Sequence, residues 1–136
     1  MLNIIAMFGA IAAAIWQSRL IQANKPIHHG RWLTAYVVIG YGSACLIYGP
    51  WWGLLALAGM AGMFSMWFRL VLNIERRLPI SYMGPEPGIK SASRSKYDLF
   101  FWHVGAKLHW PPVLVAIGVE ATAAIGIPTI MLFVYP

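Results

Sequence analysis

Apolar residues fall into four long runs, at about 2–21, 33–48, 51–68 and 112–134, separated by polar or turn-forming stretches. A helix crossing a bilayer needs about 20 apolar residues. The first and last runs meet that length, and the two middle runs come close to its lower limit. Between the middle runs lies only Gly49-Pro50, where a permissive glycine and a proline of fixed φ predict a chain reversal. These two runs therefore read as a tight helical hairpin. Pro111-Pro112 opens the last run, where a missing N–H costs nothing, and Pro128 is expected to kink or fray its final turns.

The fold class expected is an all-α integral membrane protein, a single transmembrane domain over 1–136 with loops at about 22–32 and 69–111. A secretory signal peptide competes for the first run. That run lacks a basic start and is followed by Arg19, Lys25 and Arg31, so it reads as an uncleaved anchor. Composition points the same way, since 60% hydrophobic and 10% charged residues leave too little polar surface for a water-soluble globule.

Charge adds an orientation. All ten Lys and Arg residues lie in the two loops: Arg19, Lys25 and Arg31 in or beside the first, and Arg69, Arg76, Arg77, Lys90, Arg94, Lys96 and Lys107 in the second. Basic loops stay in the cytoplasm. Four spans then place both termini on the other side, as in a bacterial inner-membrane protein. The net charge of +6 is thereby assigned to anionic lipid headgroups. Nucleic acid is not an expected partner, because no groove-reading motif accompanies the charge. Cys45 is the only cysteine, so no intrachain disulfide forms.

Small residues recur at four-residue spacing as Ala6, Ala10 and Ala14 in the first run and as Gly118, Thr122 and Gly126 in the last. Such faces let helices approach closely in lipid. Met60, Met63 and Met66 read as adaptable core filling, and the 59–63 stretch as packing.

The third helix is expected to continue past the bilayer surface, with Arg69, Asn73 and Arg76 along one side. That stripe could bind a phosphate or carboxylate, or snorkel to headgroups. Pro79 ends it, and an irregular stretch containing Tyr82 follows. From Ser95 to Trp110 the pattern predicts an interfacial amphipathic helix. Ser95 and Asp98 resemble a capping box, and Tyr97, Phe100, Phe101, Val104 and Leu108 share a face, with Trp102 and Trp110 at headgroup depth. Asp98 is expected to pair with Arg69 or Arg76.

All four histidines, His28, His29, His103 and His109, lie on this predicted face. Converging imidazoles could ligate a transition metal or a haem iron, but neither the adjacent pair nor the six-residue interval is diagnostic. Glu120 is the one strongly ionisable residue expected deep in the membrane, about 12 Å into a core about 30 Å thick. Burying such an acid costs on the order of 2.5–3.5 kcal/mol, so it should face inward and find a partner. With no Lys or Arg at its depth, it is expected to be protonated through desolvation and bonded to a hydroxyl such as Tyr41, Ser43 or Ser65.

Three function classes follow. There is no nucleophile elbow, paired carboxylate set, zinc motif or phosphate loop, so an enzyme would have to act on lipid through scattered interfacial residues. A proton- or cation-coupled transporter or channel would use Glu120 within a parallel homo-oligomer, because the one-sided charge disfavours opposed subunits. An accessory or scaffold subunit of a homo- or hetero-oligomeric membrane assembly asks least of the residues, and it is the function expected.

Overall fold

The computed structural model describes residues 2–25, 29–83 and 96–134, with side chains described from 34 and from 99 in the second and third segments. All described secondary structure is helical: α1 (Leu2–Gln22), α2 (His29–Glu75), α3 (Lys96–Leu108), α4 (Pro112–Ala121), a π-helical turn (Thr122–Gly126) and α5 (Ile127–Val134). Three helical stretches, Leu2–Gln22, Thr34–Glu75 and Pro112–Val134, are long and apolar enough to cross a membrane.

The middle stretch is bent back on itself. Gly49 has φ 76° and ψ 171°, a backbone region that essentially only glycine adopts, and Pro50 starts the next helix. In a straight helix, Tyr36 and Phe64 would be about 42 Å apart. Their ring centroids are 4.5 Å apart. A methyl group added to Gly53 would lie 3.0 Å from Cys45 Sγ, and one added to Gly40 would lie 3.3 Å from Leu57. The arms 29–48 and 50–75 therefore pack antiparallel, and Gly40 and Gly53 allow their close approach. The second arm continues as helix to Glu75, beyond the end of its apolar run.

On α1, Ala6, Ala10 and Ala14 are buried and α2 covers them, so this small-residue face is a packing seam. The expected counterpart in the last span is turned the other way. Gly118 and Thr122 are exposed and Gly126 only half-buried, whereas Ala116, Glu120, Ala124 and Met131 face inward. The inward residues share the four-residue spacing as far as Ala124, and the π-turn then rotates the last segment. Leu2, Ala6, Ala44, Ala56, Met60 and Met131 form one core cluster, with Tyr36, Trp52 and Met63 against it.

Pro128 leaves its mark one turn upstream. Its ring clashes with the carbonyl of residue 124 and offers that carbonyl no N–H. The helix widens into the π-turn at Thr122–Gly126 and then runs on to Val134 without fraying. The Asn3 side-chain amide donates to the Ala124 carbonyl at 2.9 Å, replacing the bond that Pro128 cannot make. Asn3→Ala should therefore lower the unfolding free energy by about 1 kcal/mol. Titration of the purified protein with denaturing detergent measures this, and an unchanged midpoint would mean that Ala124 is satisfied without Asn3.

Three helices end in the same way, with a left-handed residue after the last turn. Asn24, Arg77 and His109 have φ of 51°, 56° and 55°, and the following N–H groups of Lys25, Leu78 and Trp110 bond back to Leu20, Asn73 and Gly105. The last of these folds α3 onto α4. Gly105 is needed there, since a methyl group on it would lie 2.7 Å from the Trp110 carbonyl. Phe101 is buried with Met83, Val115 and Ala116, while Phe100 and Leu108 point outward. The aromatic face predicted for 97–108 is thus divided between the protein interior and the surroundings. Ser95 and the Asp98 side chain, and with them the predicted capping box, lie outside the described residues.

Candidate functional site

The second arm and α4 run antiparallel in direct contact. Gly62 faces the backbone of Glu120 and Ala124, and Gly59 faces Ala123 and Pro128. Extending that register, Ser65 and Arg69 come opposite Glu120 and the turn before it. Ser65 Oγ donates to Glu120 Oε1 at 2.8 Å, and Arg69 donates through Nη1 to Oε1 at 3.0 Å and through Nη2 to Oε2. The Glu120 side chain is 1% exposed and that of Arg69 14%.

This arrangement corrects the expectation of a neutral acid with no cation in reach. Three donors converge on the carboxyl, which is the hydrogen-bonding pattern of an ionised carboxylate held bidentately by a guanidinium. The error came from reckoning depth along the backbone. Arg69 lies about one helical turn from the level of Glu120, some 5.4 Å, and a guanidinium stem covers that distance. Of the hydroxyls proposed as partners, Ser65 makes the contact. Tyr41 pairs with Cys45 on its own arm, and Ser43 is half-buried there.

The predicted stripe of Arg69, Asn73 and Arg76 does not act as one surface. Arg69 turns inward to Glu120, and the Asp98 side chain, its other expected partner, lies outside the described residues. Asn73 is buried, and its amide donates to the carbonyls of Ile80 at 3.2 Å and Tyr82 at 2.9 Å, fastening the chain that follows the second arm. Trp102 Nε1 then donates to the Met83 carbonyl at 3.3 Å, so this segment is held from both sides. Arg76 alone of the three is exposed.

His28 and the His29 side chain lie outside the described residues. His103 is exposed, with Nδ1 2.7 Å from the Leu99 carbonyl of its own helix, and His109 is an exposed cap residue. Among the described residues, no three His, Cys, Asp or Glu side chains are grouped as metal ligands.

Two polar positions were not singled out from the sequence. Ser18 is fully buried on α1, and its hydroxyl, like that of Tyr36, has no hydrogen-bond partner among the described residues. Nothing in their residue types signals this, because a lone serine or tyrosine in an apolar run is equally at home facing lipid. Comparison with known proteins adds no function: no family model, curated protein or solved structure matches the chain.

Proposed function

We propose that this chain is a four-span membrane protein of the bacterial inner-membrane type, with both termini on the non-cytoplasmic side, and that it serves as a non-catalytic accessory or scaffold subunit. Its basic loops and α3 would face the cytoplasmic surface and offer headgroup and partner contacts. The hairpin at Gly49 supports counting the long middle helix as two crossings. Leu46, Trp51, Leu132 and Phe133, each at least 80% exposed, suit lipid or an adjoining helix rather than water.

The observation that carries the reading is the use made of Glu120. The acid that a proton- or cation-coupled pathway would need is closed over by Arg69 and Ser65, which makes it an interhelical tie between the second arm and α4. Two clefts among the described residues are open surface grooves, and Glu120 lines neither. Purification in a gentle detergent followed by intact-complex mass spectrometry tests the proposal. A stoichiometric heterologous partner is the expected result. A homo-oligomer with pH-dependent ion flux, abolished by Glu120→Gln, would replace the scaffold reading with transport.

A further inference from the structure

The C-terminal ends of α1 and α2 lie side by side and border an open groove of about 400 Å³ lined by Ile21, Gln22, Glu75, Arg76 and Arg77. Arg69, the other basic residue of this arm, is taken up by Glu120. Arg76, Arg77 and Glu75 are exposed and have no ion-pair partner among the described residues. Two guanidiniums and one carboxylate thus line the same cleft, none of them paired with another described residue.

We propose that this cleft binds the headgroup of a phospholipid bearing a primary amine, with Arg76 and Arg77 holding the phosphodiester and Glu75 accepting from the ammonium. Guanidinium forks match phosphate oxygens bidentately, and phosphodiesters are the most concentrated anions where a span leaves the bilayer. A simple anion would fit poorly. Glu75 repels it, and the carbonyl ends of two helices both favour positive charge at this location. A zwitterion satisfies both halves of the cleft. Gln22 adds a neutral amide, and Ile21 is an apolar wall for the glycerol end of the lipid. Arg77 occupies a left-handed position at φ 56°, a conformation that glycine adopts more readily than an L-residue. Arginine at this position supplies a side chain that the cap itself does not require.

The inference rests on the membrane reading above and on the placement of this end at a headgroup layer, but not on any protein partner. Intact-complex mass spectrometry of the full chain, equilibrated with equimolar phosphatidylethanolamine, phosphatidylcholine and phosphatidylglycerol, tests it. The ethanolamine lipid should be retained about tenfold over the choline lipid, whose quaternary amine donates no hydrogen bond, a factor within the range of one charge-assisted bond. Glu75→Gln should reduce that ratio to about one while both lipids still bind, and Arg76→Gln combined with Arg77→Gly, which keeps the cap geometry, should lose both. Equal retention of the three lipids by the unaltered protein would overturn the proposal, as would preference for phosphatidylglycerol. Displacement of bound lipid by millimolar inorganic phosphate would assign the site to free phosphate instead. Loss of a co-purifying protein leaves these ratios untouched, and recovery of the chain without detergent would show that the membrane reading itself had failed.

Discussion

Glu120→Leu is expected to lower the unfolding free energy by about 3–5 kcal/mol, the cost of leaving a largely buried guanidinium without its counter-charge. The size of the effect comes from Arg69 rather than from any contact that leucine loses. Arg69 is only 14% exposed, and its guanidinium donates to both carboxylate oxygens, so removal of the acid strands it against apolar side chains. Glu120→Gln keeps an acceptor for Ser65 and for one guanidinium nitrogen but not the charge, and should fall between Leu and the unaltered protein. The double variant Arg69→Met, Glu120→Leu should regain most of the loss, because a buried ion pair is costly to break and inexpensive to replace with well-packed apolar groups. Reversible unfolding in mixed micelles, arranged as a double-mutant cycle, gives the coupling directly. Additive single effects would mean that the pair is not coupled in the folded protein, and with it the tie between the second arm and α4 would be lost.

Gly62→Ala should cost about 1–3 kcal/mol, a large amount for a single added methyl group. That methyl would lie 2.6 Å from the Glu120 carbonyl, 2.7 Å from Ala123 Cβ and 3.0 Å from the Ala124 nitrogen. Two of these are backbone atoms that no rotamer change can move, so the helices must separate. Separation draws Ser65 and Arg69 away from Glu120, and the penalty should grow further with Gly62→Val. Gly9→Ala and Gly118→Ala are the controls, since nothing lies within 4 Å of a methyl group at either position. Both should stay within about 0.5 kcal/mol of the parent in the same detergent titration. A neutral Gly62→Ala would show that the two helices do not meet at this glycine.

Much of the fold is legible in the hydrophobic pattern because that pattern reports length and interruption directly. The apolar runs became helices, Gly49-Pro50 marked the reversal, and Pro111-Pro112 the start of α4. Which way each helix faces was less legible, because in lipid an apolar side chain satisfies either orientation. The alanines of α1 and the Gly118, Thr122 and Gly126 set carry the same spacing, yet only the alanines are buried. The π-turn at Thr122–Gly126 shifts the phase of everything after it, and a fixed helical period cannot anticipate that shift. Phe100 and Phe101 were likewise placed on one face, although adjacent helical residues diverge by about 100°.

The candidate site was half legible. Glu120 stood out because an acid in an apolar run has few acceptable surroundings, and Ser65 was among its proposed partners for the same reason. Arg69 was assigned to the bilayer surface because its position along the chain lies near the end of a span. A long flexible stem separates the backbone position of an arginine from the position of its charge, and only packing decides whether it turns toward solvent or inward. Asn73 was misplaced for a related reason, since nothing in the sequence reveals that the carbonyls of Ile80 and Tyr82 return to meet it.

The reversal at Gly49 bears on how such a chain enters a bilayer. Tyr48 to Trp51 contains no ionisable side chain other than the tyrosine phenol, so in the four-span arrangement proposed above the tip of the hairpin would carry no formal charge across as the arms go in. Opening the turn by a residue or two would be tolerable in itself, but a single lysine inserted there would have to be dragged through hydrocarbon or would hold the tip behind.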